Sequence, residues 1–312
     1  MQKVHDLVIL GAGPAGLSAA LYAGRARVDT LLLEREKDGG QIVITNEIEN
    51  YPGCQEEESG SSLVARMTKQ VAKFGAERAL DTITEVDFSG DVKVLRSKKA
   101  EYRAKSVIVA TGAFPRPIGC EREREFIGKG ISYCATCDGN FFEDMDIYVV
   151  GGGDTACEEA CYLTRFGRKV TVIHRRDALR ACKSIQEKSF ANPKIGFMWD
   201  SVVTAVDGDG LLERMTVKNV KTGEEKVVEA NSDDGTFGLF GFIGYTPNST
   251  VFENALPLED GYIRTNEKME TAVPGVYAAG DIRVKDVRQV VTAAADGAIA
   301  ALMAEKFLEE SA

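Results

Sequence analysis

The chain of 312 residues is acidic, because 38 lysine and arginine residues face 48 aspartate and glutamate residues, for a net charge of −10. That balance argues against nucleic acid or an anionic membrane as a partner, since both bind basic protein surfaces. No apolar stretch reaches membrane-spanning length, and the first predicted strand begins almost at once without a signal peptide, so we expect a cytoplasmic protein. The length predicts two domains, each with its own core.

A strand, a tight glycine turn and the start of a helix are predicted first. The apolar run 7–10 precedes Gly-Ala-Gly-Pro-Ala-Gly at 11–16, a pattern that points backbone N–H groups and a positive helix end at a pyrophosphate. Glu34 ends the next strand, where a carboxylate accepts hydrogen bonds from the hydroxyls of an unphosphorylated adenosine ribose. The sequence therefore predicts a site for FAD or NAD. Its predicted contact residues are Gly11, Gly13, Pro14, Ala15, Gly16 and Glu34.

An irregular segment, a helix and a small antiparallel meander are predicted next. The irregular segment opens at 39–41, and the amphipathic pattern at 61–74 indicates the helix. Alternating stretches between about 82 and 105 indicate the meander. A further apolar strand then ends in glycine, at 107–112.

Two cysteines, Cys134 and Cys137, are separated by two residues and followed by Asp138. Such a pair can close a small disulfide ring, and a helix start beside it lowers the pKa of a thiolate. A structural zinc site is the main alternative, but it needs four ligands, and the chain has only His5 and His174 as histidines. A purely structural pair is the other alternative. We favour redox exchange and predict no metal site.

The glycine turn recurs at 151–156, again after an apolar run, and predicts a second dinucleotide site. His174 lies 23 residues after the first glycine of this turn, as Glu34 does in the first unit. Arg175 and Arg176 follow it, and a basic cluster at this position accommodates a ribose phosphate. The second unit is therefore predicted to bind NADPH. Its predicted contact residues are Gly151, Gly153, Asp154, Thr155, His174, Arg175, Arg176 and Arg180.

The second unit repeats the plan of the first. A helix is predicted at 156–166, a strand at 170–173, a hairpin region between about 202 and 228, and an apolar strand at 239–244. Cys157 and Cys161 stand four residues apart on the helix, where packing against the sheet is favoured over a shared metal.

The remaining segment, 245–312, is too short for a third unit. It contains a strand-like run at 275–281 and a long helix pattern from 290 to 308, and we expect it to complete the first domain. The fold class is therefore predicted to be α/β, with two Rossmann-like dinucleotide-binding domains of three layers and mostly parallel sheets, the second inserted into the first. The predicted domains are 1–114 together with 245–312, and 115–244.

Several further motifs accompany the two glycine turns. They are Gly39-Gly40-Gln41, Asn50-Tyr51-Pro52-Gly53, Ala110-Thr111-Gly112, Cys134-Ala135-Thr136-Cys137-Asp138, His174-Arg175-Arg176 with Arg180, and Gly280-Asp281 with Arg288-Gln289. With these motifs the chain resembles the low-molecular-weight, bacterial-type thioredoxin reductases over essentially its whole length.

The resemblance implies FAD in the first domain, NADPH in the inserted domain, a homodimer, and reduction of thioredoxin or a thioredoxin-like disulfide protein. It implies that Asp281 holds the ribityl chain of the flavin and that Arg288 and Gln289 lie close to the isoalloxazine ring. The FAD contacts that it adds are Gly40, Gln41, Asn50, Thr111, Gly112, Gly280, Asp281, Arg288, Gln289 and Val290.

The resemblance also assigns roles to the redox pair. Carried over by position, Cys137 faces the flavin, Cys134 attacks the partner, and Asp138 is a general acid or base for the thiols, an ordinary helix cap being the alternative for Asp138. The disulfide and NADPH share one domain, whereas FAD belongs to the other. We therefore expect the inserted domain to rotate about two linkers, near 114–117 and 244–247, and to present each in turn to the flavin.

Three other functions compete with this interpretation. The first is a reductase of another disulfide protein, such as a peroxiredoxin-reducing domain or a glutaredoxin-like protein; the thioredoxin-like extension of peroxiredoxin reductases is not expected here. The second is a ferredoxin or flavodoxin NADP reductase, which does not need a dithiol. The third is a non-enzymatic nucleotide-sensing or zinc-binding protein.

Overall fold

The computed structural model describes residues 3–45, 48 and 50–311. The chain divides into two compact units. The first unit consists of Met1–Phe114 and Thr246–Ala312, and the second of Pro115–Tyr245. The second unit is thus continuous in sequence, while the first is assembled from both ends of the chain.

The first unit begins with parallel strands that alternate with helices and continues into an antiparallel meander. Its elements are β1 (Val4–Leu10), α1 (Pro14–Arg25), β2 (Thr30–Glu34), α2 (Gly60–Lys73), β3 (Glu77–Leu80), β4 (Ile83–Asp87), β5 (Lys93–Ser97) and β6 (Glu101–Val109).

A short strand, β7 (Ala113–Pro115), leads into the second unit. The elements of that unit are α3 (Glu123–Phe126), β8 (Ile131–Ser132), α4 (Ala135–Asp138), β9 (Asp146–Gly151), α5 (Asp154–Leu163), β10 (Lys169–Ile173), α6 (Lys183–Ala191), β11 (Ile195–Met198), β12 (Ser201–Asp207), β13 (Arg214–Asn219), β14 (Glu225–Glu229) and β15 (Gly238–Phe242).

The chain returns through a strand that pairs with β7. The returning elements are β16 (Tyr245–Pro247), β17 (Leu258–Glu259), β18 (Tyr262–Ile263), β19 (Val276–Ala278) and α7 (Val290–Glu310). The pair formed by β7 and β16 comprises the two linkers between the units.

The central sheet of the first unit is parallel in the order β3-β2-β1-β6-β19. The first half of β6 also carries β5 and then β4, both antiparallel to their neighbours. Alternate residues of β1 bury opposite faces, with Leu7 and Ile9 in one core and Val8 and Leu10 in the other. Apolar residues on both faces are what a sheet covered on both sides requires.

Helices α1 and α7 cover one face of this sheet with small residues. Gly297 of α7 lies so close to α1 that a Cβ atom there would stand 2.0 Å from the Ala15 carbonyl oxygen. Ala19 and Ala300 are also fully buried. This close approach holds the start of α1, and with it the first glycine turn, firmly against the sheet.

The second unit repeats this topology. Its parallel sheet has the order β11-β10-β9-β15-β8, and β12, β13 and β14 form a separate antiparallel sheet. The predicted α/β class with parallel, Rossmann-like sheets is confirmed. Within the described residues, no helix combines the length and the apolar character needed to cross a bilayer.

Two helix boundaries differ from those predicted. The helix α5 spans Asp154–Leu163 rather than 156–166, because it starts directly after the N-cap residue Gly153. The helix α2 starts at Gly60, one residue early, because Ser59 caps it: the Ser59 hydroxyl accepts a hydrogen bond from the Ser62 amide at 3.1 Å.

Candidate active site and dinucleotide sites

Cys134 and Cys137 form a disulfide at the start of α4, with their Cα atoms 5.3 Å apart. Ser132, the last residue of β8, organises the pair. Its hydroxyl accepts a hydrogen bond from the Cys134 amide at 3.0 Å and donates to Asp138 Oδ2 at 2.5 Å. The two sulfurs and one carboxyl group are therefore held in a single short segment.

Asp138 is half-buried. Burial raises the pKa of its carboxyl group, and the hydrogen bond from Ser132 opposes this only in part. A carboxyl group with a raised pKa beside a disulfide is suited to hold a proton and deliver it to a thiolate.

Replacing Asp138 by Asn tests this electrostatic environment. The folded protein binds the Asp138 proton more tightly than the unfolded chain does. The stability of the fold therefore falls as the pH rises above about 4, the ordinary pKa of an aspartate. Asp138→Asn removes that loss, and we expect the variant to be more stable than the wild type at pH 7 but equally stable near pH 4. Urea unfolding of both oxidised proteins across this range measures the difference. A stability difference that is independent of pH would contradict the raised pKa.

The other cysteines are free thiols in the structure. Cys157 is buried against the sheet, and Cys161 lies 3.6 Å from the Ser189 hydroxyl. No group of three or more histidine, cysteine, aspartate or glutamate residues suited to a metal ion occurs in the part of the chain that the structure describes.

The first glycine turn depends on the absence of side chains. Gly11 has a φ of +100°, and a Cβ atom there would lie 2.4 Å from the Ala110 carbonyl oxygen. Gly16 is equally confined, since a Cβ atom there would lie 1.7 Å from the Gly11 carbonyl oxygen. Gly13 and Gly40 lie next to each other and are less confined, since the nearest atom would stand 3.9 Å from a Cβ atom at Gly13 and 3.8 Å from one at Gly40. The turn thus presents bare backbone, as a bound pyrophosphate requires.

Glu34 is fixed beside this turn by three backbone amides. Its carboxylate accepts hydrogen bonds from the Ala12 amide at 2.7 Å, and from those of Arg35 and Glu36 at 2.6 and 3.2 Å. An ionised carboxylate has about four acceptor positions, so the described contacts leave capacity for a ribose hydroxyl.

Asp281 is the second acidic residue of the first unit at this edge of the sheet, in the turn that follows β19. Its Oδ1 atom is buried and has no hydrogen-bond partner among the described residues. Burial raises its pKa, while Lys285 and Arg288 act in the opposite direction. A buried acceptor without a donor is costly unless a ligand supplies one, so Asp281 fits the ribityl hydroxyls of a flavin.

The remaining predicted contacts of the first unit lie in its loops. The Gln41 side chain donates to the Ala113 carbonyl. Asn50 Nδ2 donates to Gln289 Oε1 at 3.2 Å, and Val290 begins α7 directly afterwards. Thr111 donates to the Asn248 carbonyl at 2.9 Å. Gly112 has a φ of +68° and open space at its Cβ position.

The second glycine turn is covered by the loop that carries the predicted basic cluster. The Arg180 amide donates to the Gly152 carbonyl at 2.6 Å, and Asp154 accepts from the Cys182 amide at 2.6 Å. Gly153 is likewise less confined, since the nearest atom to its Cβ position is an Arg180 guanidinium nitrogen 3.9 Å away. Thr155 lies exposed in the first turn of α5.

His174 and its arginine neighbours occupy different environments. The His174 ring is buried against Gly152, where a Cβ atom would lie 2.3 Å from it. Burial, followed by the charge of Arg180 and Arg176, lowers the pKa of His174, so the ring is neutral near pH 7. The positive charge comes from exposed Arg175, Arg176 and Arg180, none of which forms an ion pair among the described residues.

Two residues that support these sites were not predicted from the sequence. Ser132 bridges Cys134 and Asp138, and Asp296 accepts from the Gly280 amide at 3.0 Å while pairing with Arg283 and Lys285. An acidic residue in the second turn of a long helix carries no local signal for such a role, since its partners lie 11 to 16 residues away.

Comparison with known proteins places this architecture in a family. Residues 5–297 match the pyridine nucleotide-disulphide oxidoreductases, and the chain belongs to that family. Membership implies a flavin and a nicotinamide cofactor.

Individual relatives agree with this assignment. A thioredoxin reductase of Peptoclostridium acidaminophilum is 59% identical over 310 residues, covering 99% of this chain and 98% of the relative. That of Bacillus subtilis is 46% identical, with coverage of 99% and 96%. The solved thioredoxin reductase of Streptococcus pyogenes is 42% identical, with a TM-score of 0.92 and coverage of 98% and 99%. The resemblance to low-molecular-weight thioredoxin reductases is confirmed.

Proposed function

We propose that this enzyme uses NADPH to reduce the disulfide of oxidised thioredoxin, by way of FAD and the Cys134–Cys137 pair. The observation that carries the proposal is the Cys134–Cys137 disulfide beside the half-buried Asp138 carboxyl group, in a chain with two glycine turns. One turn has the acidic Glu34 beside it, and the other has a cluster of arginines. Thioredoxin is the partner because it is named in the relatives that share 42–59% of the sequence over nearly the whole chain.

FAD fits the first unit and NADPH the second. Glu34 and Asp281 supply acceptors for ribose and ribityl hydroxyls, beside the open glycines of the first turn. Arg175, Arg176 and Arg180 supply charge for a ribose phosphate beside the second turn. FAD held at the first site would supply the two-electron chemistry that links the nicotinamide to the disulfide.

The protein's own groups then carry out thiol–disulfide exchange. The Cys134 thiolate attacks one sulfur of the thioredoxin disulfide, which forms a mixed disulfide and releases a thioredoxin thiolate. Cys137 attacks Cys134 in the mixed disulfide, which closes the Cys134–Cys137 bond and frees the second thioredoxin thiol. Asp138 holds a proton on its carboxyl oxygen for the departing thiolate, because burial keeps its pKa high.

The proposal is tested by two anaerobic half-reactions. NADPH should bleach the yellow protein, and oxidised thioredoxin should restore its colour. A colourless protein that cannot be reconstituted with FAD, or a bleached protein that thioredoxin fails to reoxidise, would exclude the proposal.

FAD retention should depend on the charge at Glu34. Glu34→Arg places a cation where the ribose hydroxyls need an acceptor, and we expect it to release FAD that the wild type keeps at about one per chain. Glu36→Arg is the matched control, since it makes the same charge change on an exposed side chain two residues away. The ratio of flavin to protein absorbance after dialysis measures retention, and equal ratios for the two variants would rule out a ribose contact by Glu34.

Rotation of the inserted domain completes the proposal. The disulfide lies in the second unit together with the proposed NADPH site, while the residues of the proposed FAD site belong to the first. At similar identities of 42 and 44%, the solved thioredoxin reductases of Streptococcus pyogenes and Lactococcus lactis superpose with TM-scores of 0.92 and 0.66. Such a spread supports different domain arrangements among these enzymes.

A covalent cross-link that fixes the inserted domain in either arrangement, by restricting the linkers near Arg116 and Tyr245, should stop this rotation. We expect the locked enzyme to lose steady-state turnover with thioredoxin while one of its two half-reactions proceeds normally, because a single flavin face cannot contact both the disulfide and the nicotinamide. Stopped-flow absorbance resolves the half-reactions. Normal turnover by the locked enzyme would mean that electrons follow a static path.

We further propose that the enzyme is a homodimer that acts in the cytoplasm, where disulfide proteins are kept reduced. Exposed apolar residues on α7, namely Val291, Ile299 and Leu302, support a subunit contact through the first unit. Light scattering of the purified FAD-loaded protein tests the dimer.

A further inference from the structure

Tyr133, immediately before Cys134, is tied to both ends of the second unit. Its hydroxyl donates a hydrogen bond to the Glu123 carboxylate. Its backbone carbonyl accepts one from the Tyr245 hydroxyl at 3.3 Å. Tyr245 begins β16, the returning linker, so one side of Tyr133 is anchored where the chain leaves the unit.

Glu123 anchors the other side of Tyr133 where the chain enters the unit. Its carboxylate is buried and accepts hydrogen bonds from the amides of Ile118 at 2.7 Å and Gly119 at 2.8 Å, just beyond β7. With the Tyr133 hydroxyl it has three donors, which is how a buried carboxylate is kept stable. A shift of the entering linker therefore moves the group that holds Tyr133.

The ring of Tyr133 is held in place as well. It lies against Gly241 of β15, where a Cβ atom would stand 2.7 Å from the ring. Burial raises the pKa of the phenol, so the hydroxyl remains a donor at any physiological pH. On the other side of the peptide, the Cys134 amide is bound to Ser132. Tyr133 thus has little freedom to move independently of either linker or of the disulfide.

We propose that Tyr133 is a positioning residue that couples Cys134 to both linkers, with Glu123 and Tyr245 as its anchors. This inference rests on the proposed function, in which the linkers move between half-reactions. When the disulfide is reduced, the two sulfurs separate to at least van der Waals contact. The movement of Cys134 then strains the hydrogen bonds of Tyr133. Because coupling is reciprocal, a change at the linkers shifts the disulfide equilibrium by the same factor.

The test is a redox titration of the FAD-loaded protein and two variants against dithiothreitol. Each equivalent of dithiothreitol gives two electrons and two protons to the Cys134–Cys137 bond and becomes a cyclic disulfide. Tyr133→Phe removes the donor to Glu123, and Tyr245→Phe removes the donor to the Tyr133 carbonyl, while each keeps its ring. Tyr148→Phe, which removes a phenolic hydroxyl from β9 of the same unit, is the matched control. Alkylation of the thiols followed by mass spectrometry gives the fraction reduced.

We expect Tyr133→Phe and Tyr245→Phe each to shift the equilibrium about 3- to 10-fold toward the dithiol, the range that the net contribution of one intramolecular hydrogen bond provides. A tenfold shift equals about 30 mV for this two-electron couple. The Tyr148→Phe curve should coincide with the wild-type curve. A purely structural role would weaken the oxidised and reduced forms equally and leave the titration unchanged.

Amide exchange supplies the reciprocal measurement. Reduction of the wild-type disulfide should accelerate exchange of the Ile118 and Gly119 amides, and in Tyr133→Phe the exchange should no longer depend on redox state. The coupling would be overturned if Tyr133→Phe and Tyr245→Phe both gave wild-type titration curves. It would also be overturned if amide exchange at 118–119 in the wild type did not depend on the redox state of the disulfide. Neither readout uses thioredoxin or NADPH, so a failure of thioredoxin reduction by the wild type contradicts the proposed function separately.

Discussion

Cys137→Ser should convert the enzyme into a trap for thioredoxin. Without Cys137, the Cys134 thiolate can still attack a thioredoxin disulfide, but nothing remains to resolve the mixed disulfide. We expect turnover to fall by at least about a thousandfold, as it does when a nucleophile is removed from other enzymes. A thioredoxin that lacks its own resolving cysteine and is activated as a mixed disulfide should then become covalently attached, with its leaving thiol released.

The complementary variant, Cys134→Ser, distinguishes the roles of the two sulfurs. Cys134→Ser should lose turnover to the same extent but form no covalent complex, because in the proposed mechanism Cys137 faces the flavin rather than thioredoxin. Both variants should still be bleached by NADPH. Cys161→Ser, which removes a half-buried thiol elsewhere in the second unit, is the matched control and should keep its turnover. Peptide mass spectrometry maps the link, and a bond to Cys137 would reverse the two roles.

Removal of Arg175 and Arg176 should abolish the preference for NADPH over NADH. Each charge-assisted hydrogen bond to the ribose phosphate is worth roughly 1.5–3 kcal/mol, and exposure of both side chains reduces that figure. We expect the double Ala variant to raise the KM for NADPH on the order of a hundredfold and to change that for NADH little. Steady-state thioredoxin reduction with each nucleotide measures both constants.

The matched control removes two positive charges from the opposite end of the same sheet. Arg165 and Lys169 are exposed after α5 and at the start of β10, away from the glycine turn. Their double Ala variant should keep the wild-type preference. Equal use of NADPH and NADH by the unmodified enzyme would refute the assignment of the second site.

The sequence was most informative where function depends on the backbone itself. Gly11 and Gly16 mark the tight turn in the sequence, because any side chain there would collide with a carbonyl oxygen. Two cysteines with two residues between them are constrained by spacing alone, and the structure joins Cys134 to Cys137. The parallel Rossmann-like sheets followed from apolar runs that alternate with helix patterns.

Long-range partners could not be predicted in the same way. Glu123 and Tyr133 are 10 residues apart, and Tyr133 and Tyr245 are 112 apart, so no local pattern relates them. The sequence predicts His174 as part of the basic cluster, yet its ring is buried beside Gly152, which leaves room for it. Burial and the charges of Arg180 and Arg176 lower its pKa and keep the ring neutral. Contacts of this kind depend on how distant segments pack, which a single sequence does not record.

The stoichiometry of an anaerobic reaction between NADPH and oxidised thioredoxin tests the central claim most directly. With catalytic amounts of the FAD-loaded protein, each NADPH oxidised should produce two new thiols on thioredoxin, and Cys134→Ser should produce none. NADPH oxidation without thioredoxin thiols, or thioredoxin reduction that persists in Cys134→Ser, would contradict electron transfer through the Cys134–Cys137 pair.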